Sequence, residues 1–277
     1  MTTTQGDRTD ADSSPAQGLP SAETVGDVEV RFLGTAAFEI VTANGIRILI
    51  DPFLEENLES PIKIADLENV DLLMVTHAAY DHLGDTLKIM QRWPDITCVA
   101  GVDVRGYLIA SGIDAERIWS SPWGMMIEVA DVTIRPVYSR HWSYIEGPDG
   151  TPYSCIPMAY IIYASDACRI YHSGDTALFS DMKLIGELYE PTIGLINVGF
   201  PRNHFGAKHG APVYLTGEMD AREAAMAVEW LGLQTAIPCH HDDIELPEIV
   251  EFAARVTAAG HSDVELLSPG EYFRVSP

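Results

Sequence analysis

The segment Thr76-His77-Ala78-Ala79-Tyr80-Asp81-His82 decides the fold of this chain, because it places metal-binding side chains directly after an apolar run. That run, Val70-Asp71-Leu72-Leu73-Met74-Val75, predicts a β-strand. Two histidines and an aspartate then crowd the turn between this strand and the following helix. Such a turn can direct several side chains at one point, as the binding of a divalent cation requires. The segment therefore predicts a metal site at the end of a strand.

The composition predicts one large acidic domain. The 277 residues are 47% hydrophobic, which is enough to bury a substantial core. The formal net charge is −24, so the surface repels nucleic acid and anionic membranes. No run of about 18 apolar residues occurs, and we expect no membrane span. The cysteines form no C-x-x-C pair and no secretory signal precedes the domain, a pattern typical of a cytoplasmic protein with reduced thiols.

The chain divides into a tail and one domain. Residues 1–26 are rich in Thr, Ser, Asp, Gly and Pro without an apolar period, which predicts a disordered N-terminal tail. Residues 27–277 carry strand-like runs with helices between them in both halves, which predicts a sandwich of sheets with helices outside. Residues 82–92 predict a helix, residues 200–217 a long loop, and residues 148–150 a turn.

Four segments end predicted strands with residue types that bind metals. Because side chains at strand ends can meet at one end of a rigid sheet scaffold, we expect these residues to converge. The segments are His77 with Asp81-His82, His141, Asp175 and His240.

Further motifs accompany these residues. They are Leu33-Gly34, Asp51-Pro52-Phe53, Leu83-Gly84-Asp85, the segment from Tyr171 to Met182, and Ile237-Pro238-Cys239. Over residues 28–274 this order resembles the metallo-β-lactamase superfamily, and within it the ascorbate-6-phosphate lactonase-like branch of metal-dependent hydrolases. The resemblance departs from the family pattern His-x-His-x-Asp-His at one ligand. Ala79 stands where the second histidine belongs, and alanine cannot bind a metal.

The resemblance implies an α/β (α+β) fold, the αββα sandwich, with one or two divalent metal ions. Zinc is the first expectation, and manganese or iron are the alternatives. The metal lowers the pKa of a bound water toward neutrality and polarises the bond under attack. Asp81 would both bind metal and orient the nucleophile, and is the catalytic residue. The implied ligand sets are His77 with His141, and Asp81 with His82 and His240, while Asp175 bridges the two.

Ala79 leaves three interpretations open. The simplest is a mononuclear centre at the second ligand set, completed by Asp175. In another, a substitute ligand fills the gap, either Tyr80 or a histidine of the long loop, His204 or His209. In the third, Ala79 was introduced by design to abolish activity. Natural divergence is favoured over design because the two neighbouring positions also depart from the pattern.

We interpret the sequence as that of a metal-dependent hydrolase that attacks an ester-like bond with metal-bound hydroxide. A lactone is the preferred substrate class. The alternatives are a phosphodiesterase, a non-hydrolytic metalloenzyme (decarboxylase, isomerase or oxygenase), and an inactive metallo-β-lactamase-like protein. Its partner is a small-molecule substrate, and assembly into a homo-oligomer is left open. Two arginines are candidates for holding an anionic group and three other residues for lining the pocket: Arg140, Arg202, Trp142, Phe200 and His204.

Overall fold

The computed structural model describes residues 27–199 and 217–276, so the predicted tail and most of the predicted long loop lie outside the described residues. Within this part, the chain forms two seven-stranded sheets, a two-stranded hairpin and five helices. The strands are β1 Val28–Phe32, β2 Phe38–Val41, β3 Arg47–Ile50, β4 Leu72–Met74, β5 Thr97–Ala100, β6 Ile118–Ser120, β7 Ile127–Val129, β8 Val132–Tyr138, β9 Ser143–Glu146, β10 Pro152–Cys155, β11 Met158–Tyr163, β12 Arg169–His172, β13 Ile193–Asn197, β14 Thr235–Cys239, β15 Asp263–Val264 and β16 Tyr272–Val275. The helices are α1 Thr86–Arg92, α2 Val102–Ala110, α3 Met182–Tyr189, α4 Ala221–Leu231 and α5 Pro247–Ala259.

The two sheets share one pattern of strand direction. The first sheet has the order β16-β1-β2-β3-β4-β5-β6, and the second has the order β15-β14-β13-β12-β11-β8-β7. Antiparallel pairing on one side gives way to parallel pairing from β3 to β6 and from β12 to β15. Because the carboxyl ends of parallel strands share an edge, residues that follow these strands are brought close together.

Three apolar layers confirm the expected αββα sandwich. Between the sheets, Phe32 of the first sheet belongs to the same buried cluster as Tyr160 of the second. On the outer face of the first sheet, Ile89 of α1 joins Leu73 of β4 in a second cluster. On the outer face of the second sheet, α3, α4 and α5 contribute a third cluster that includes Phe252. Each sheet is therefore buried on both faces, which is typical of sheets with parallel strands.

Two local predictions differ from the structure. Helix α1 begins at Thr86 rather than at residue 82, because the residues before it form tight turns in which the Ala79 carbonyl accepts the N–H groups of His82 and Leu83. The predicted turn at residues 148–150 joins two strands, β9 and β10, that were not predicted. This hairpin packs against α2 rather than joining a main sheet.

Two compositional expectations can be compared with the structure. Among the described residues, no helix combines the length and apolar character that a membrane crossing requires. The four cysteines are all free thiols, and three of them are buried. The prediction of unpaired, mostly buried cysteines is thus confirmed.

Candidate metal centre

The six side chains predicted as metal ligands meet at one edge of the sandwich. Three follow β4 of the first sheet, and the others follow β8, β12 and β14 of the second sheet. Their potential ligand atoms form two compact sets, in each of which the atoms lie within 4.8 Å of one another. One set is His77, His141 and Asp175, and the other is Asp81, His82 and His240.

The carboxylate of Asp175 lies at the middle of this cluster. Its Oδ2 is 3.1 Å from His82 Nε2 and 3.4 Å from His240 Nε2. It is also 3.8 Å from His141 Nε2 and 4.0 Å from His77 Nε2. For His77, His82 and His240 the buried Nε2 atom has no partner with hydrogen-bond geometry among the described residues. A carboxylate surrounded by imidazole nitrogens, three of which make no hydrogen bond to the described residues, fits the ligand chemistry of zinc, manganese or iron.

Asp51 and Thr76 fix the orientation of two of these imidazoles. Both residues are fully buried, and Asp51 accepts the backbone N–H of Thr76 at 2.8 Å and its hydroxyl at 2.7 Å. Asp51 Oδ2 lies 2.7 Å from His82 Nδ1, and Thr76 Oγ1 lies 3.1 Å from His77 Nδ1. With the proton on Nδ1 of each neutral ring, the Nε2 lone pair is directed into the cluster.

The four histidines of the cluster fall into two electrostatic classes. Burial disfavours the charged form of His240 and His82, but carboxylates beside them outweigh it. The pKa of His240 is raised to about 10, and the pKa of His82 lies well above its usual value. Burial lowers the pKa of His141 and, more strongly, that of His77. Burial alone would raise the pKa of Asp175, but His240 and His82 hold it well below its usual range. A cation entering the centre must therefore displace protons from His82 and His240.

Two further histidines close to the cluster, His172 and His241, have structural partners. His172 Nδ1 accepts the N–H of Gly174 at 3.0 Å, and its Nε2 lies 3.0 Å from the Ala36 carbonyl. His241 Nε2 lies 3.1 Å from the Pro238 carbonyl. Both rings therefore stabilise the strand ends that carry the cluster.

A cleft of about 670 Å³ opens beside Asp81 and His240. Burial and Asp81 raise the pKa of Tyr80, which also lines the cleft, to about 12, so its phenolate is disfavoured as a substitute ligand. Among the described residues that line the cleft, there are five carboxylates and no lysine or arginine. The carboxylates are Glu56, Glu59, Asp81, Asp242 and Glu248.

Of the residues predicted to bind substrate, the two that the structure describes do not line this cleft. Arg140 is exposed, and its guanidinium lies 6.0 Å from the centre of the Phe179 ring. Neither Arg140 nor the half-exposed Trp142 lines the cleft. The other predicted residues and the two loop histidines proposed as substitute ligands lie outside the described residues: Phe200, Arg202, His204 and His209.

Sequence reasoning missed one carboxylate of the cluster, that of Glu218. This side chain is buried, and its oxygen lies within 4.8 Å of ligand atoms of Asp175 and His240. It precedes helix α4 and ends no strand, so the rule that located the other residues did not point to it. One sequence signal could have indicated Glu218. It is an acidic residue just before a helix whose capping box is formed by two other residues, Asp220 and Glu223.

The chain is similar to known proteins in both sequence and fold. Residues 46–241 match the beta-lactamase superfamily domain. The chain is similar to a UPF0173 metal-dependent hydrolase of Rubrobacter xylanophilus, with 31% identity over 90% of this chain and 97% of the relative. A UPF0173 metal-dependent hydrolase of Methanopyrus kandleri shares 35% identity over 89% of this chain and 99% of its own length. Among solved structures, Igni18, a metallo hydrolase of Ignicoccus hospitalis, is 28% identical, covers 90% of this chain and 99% of its own, and superposes with a TM-score of 0.70.

Proposed function

This chain belongs to the beta-lactamase superfamily and, within it, to the UPF0173 metal-dependent hydrolases, and from that premise we propose a hydrolytic centre that holds one or two divalent ions. The observation that carries the proposal is the convergence of four imidazoles on the buried carboxylate of Asp175. When bound, the metal would lower the pKa of its water toward neutrality, and the metal would also polarise the bond under attack. The proposed ligands are His77, Asp81, His82, His141, Asp175 and His240.

Asp81 is the proposed catalytic residue, because it lies between the metal cluster and the cleft. Its side chain is 13% exposed and lines the cleft, and its Oδ2 is 3.8 Å from His240 Nε2. Burial raises the pKa of Asp81, but His240 and His82 outweigh burial and lower it overall. The carboxylate is thus ionised at neutral pH and can accept a hydrogen bond from the attacking water, which orients that water toward a substrate in the cleft.

The two ligand sets differ in the number of donors. Asp175 adds a fourth donor to the set around His82, whereas it is already the third donor of the set around His77. Ala79 has no side-chain donor to add to either set. We therefore propose that the set around His82 fills first and that the protein works with one tightly bound ion, which is zinc, manganese or iron.

Elemental analysis of protein purified without added metal tests this centre. We expect about one equivalent per chain, and loss of that metal in Asp175→Asn. The matched control Asp149→Asn changes a carboxylate that accepts the N–H of Thr151 in an exposed turn, and it should keep the metal. Two equivalents would replace the mononuclear proposal with a dinuclear one. No metal after incubation with zinc, manganese or iron would contradict the centre itself.

The charge of the cleft supports an uncharged ester, with a lactone first, over a phosphodiester. Five of the described residues that line the cleft are carboxylates, and the net charge of the chain is −24. A negatively charged phosphodiester would be repelled by this field, whereas a neutral lactone would not.

A substrate panel at two ionic strengths separates these classes. We expect hydrolysis of neutral lactones at a rate that salt leaves nearly unchanged, because screening matters only for charged substrates. Asp81→Asn should lower kcat. Activity that remains in Asp175→Asn, the variant expected to lose the metal, gives the level of contaminating hydrolase. Phosphodiester hydrolysis faster than lactone hydrolysis at low salt would contradict the proposed substrate class.

A further inference from the structure

We propose that Glu218 is a ligand of the metal centre and binds the ion that Asp175 and His240 share. The inference rests on the proposed metal-dependent hydrolase and adds to it a donor from outside the six predicted positions. It also adds an oxygen ligand to a centre that lacks the family's second histidine, because Ala79 stands in its place.

The position of Glu218 is the first argument. Its side chain is 4% exposed, and its carboxylate oxygen lies within 4.8 Å of ligand atoms of both Asp175 and His240. Ligands of one ion each lie about 2.0–2.2 Å from it, so two ligands of the same ion are at most about 4.4 Å apart, a separation comparable to that of these three atoms. The preceding residue lies beside a proposed ligand, because a Cβ added to Gly217 would be 3.7 Å from Nδ1 of His141.

Charge is the second argument. Glu218 brings a third carboxylate to a cluster that already contains Asp81 and Asp175. Like charges that share a buried site raise the free energy of the folded state, and a divalent cation bound between them offsets this cost. A divalent cation shared by Asp175 and Glu218 would offset the repulsion between their carboxylates.

The start of helix α4 provides the third argument, because it does not need Glu218. Asp220 accepts the N–H of Glu223 at 2.7 Å, and Glu223 accepts the N–H of Asp220 at 3.1 Å. This capping box already satisfies the first turn of the helix and places negative charge at its N-terminus. Glu218 is therefore not the N-cap residue of α4, and its carboxylate lies close to Asp175 and His240.

A third carboxylate changes which metal the centre prefers. Oxygen donors favour manganese and iron, whereas nitrogen and sulfur donors favour zinc. Glu218 should therefore contribute more to the binding of Mn(II) than to the binding of Zn(II).

The experiment compares Glu218→Gln with Glu229→Gln, a matched change at an exposed position of the same helix α4. Chelator competition gives the affinities for Mn(II) and Zn(II), and the visible absorption of the Co(II)-loaded protein reports the ligand set. We expect Glu218→Gln to weaken Mn(II) binding at least tenfold, to weaken Zn(II) binding less, and to change the Co(II) spectrum. Glu229→Gln should match the wild type in all three measurements.

The outcomes separate this inference from the proposed function. Wild-type affinities and an unchanged Co(II) spectrum in Glu218→Gln would overturn the role of Glu218 and leave the six-ligand centre standing. A wild-type protein that binds none of the three metals would overturn both. If Glu218→Gln does not fold, Glu218→Asp keeps the carboxylate on a shorter side chain. Weaker Mn(II) binding with an unchanged melting temperature of its metal-free form supports the role, and wild-type affinity overturns it.

Discussion

The imidazole of His82 is held from both sides by buried carboxylates. Asp51 Oδ2 lies 2.7 Å from its Nδ1, and Asp175 Oδ2 lies 3.1 Å from its Nε2. Asp51 itself has a φ of 46°, a left-handed conformation that costs a non-glycine residue free energy and persists only where its surroundings enforce it. At the scale of single residues, the geometry for binding a metal is therefore built into the apoprotein.

Asp51→Asn should weaken metal binding by about 10–100-fold, the range found for groups that orient metal ligands. Both carboxylate oxygens of Asp51 accept hydrogen bonds from donors, namely the backbone N–H and hydroxyl of Thr76 and Nδ1 of His82. An asparagine amide would direct its own N–H groups at one of these donors. Chelator competition measures the affinity, with Asp131→Asn as control, a carboxylate of the β7–β8 turn that accepts hydrogen bonds from Thr42 and Asn44. Equal affinities in the two variants would show that Asp51 does not orient His82.

Ala79→His should raise the metal content by about one equivalent per chain. Residue 79 is partly exposed, so the larger side chain can be accommodated, and it follows the ligand His77 by two positions. The added imidazole would give the set of His77, His141 and Asp175 a fourth donor. Elemental analysis measures the change, and Ala79→Gln controls for size without adding an imidazole. Unchanged metal content would mean that the loop has been rebuilt around alanine.

Metal uptake should release protons at pH 7. The pKa of His240 is raised to about 10 and that of His82 lies well above its usual value, so both rings are protonated before the metal binds. Ligand imidazoles must be neutral, so the affinity should rise as the pH rises from 6 toward 10 and level off above the raised pKa values. Calorimetry in buffers with different ionisation enthalpies counts the released protons. Uptake without proton release at pH 7 would contradict this assignment.

At the scale of elements, the sequence predicted those features that depend on local pattern. The strand-end positions of His77, His141, Asp175 and His240 follow from periodicity and spacing, and all are present. The hairpin β9–β10 was missed because its partner is the surface of α2, which is distant in sequence.

Long-range packing also explains the remaining differences. The start of α1 shifted to Thr86 because Gly84, with a φ of 45°, packs closely against the Pro52 carbonyl, a contact that the sequence does not show. Glu218 was missed for a related reason, since its neighbours Asp175 and His240 belong to other elements.

The contribution of the capping box to the stability of α4 can be tested by substituting Asp220. Asp220→Ala should lower the free energy of unfolding by about 1 kcal/mol, because it removes the side chain that accepts the N–H of Glu223. Asp220→Asn should lose much less, since asparagine is an equally good N-cap residue. Chemical denaturation measures both variants. Equal losses would show that the charge of Asp220, rather than its capping hydrogen bond, stabilises the helix.

At the scale of the whole molecule, the domain is closed by its first and last strands. Strand β1 pairs with β2 on one side and with β16 on the other, so the two ends of the described domain lie side by side in the first sheet. The described strands thus bring both ends of the domain together in one sheet, and we expect folding not to require residues 1–26.

A chain that begins at Asp27 should therefore melt at the same temperature as the full chain and bind the same amount of metal. Circular dichroism and elemental analysis make the comparison. A lower melting temperature would assign a structural role to the first 26 residues.

The proposed ligands come from both sheets, with Asp81 and His82 from the first and Asp175 and His240 from the second. A bound ion is therefore also a cross-link between the two halves of the sandwich. Removing it would uncouple the halves as well as stop turnover, because a ligand that binds only the folded state stabilises that state by mass action. In a cell short of the metal, the apoprotein would unfold more often and be degraded faster. The amount of this protein would then follow the metal supply, and its steady-state level would record how much of the ion is available.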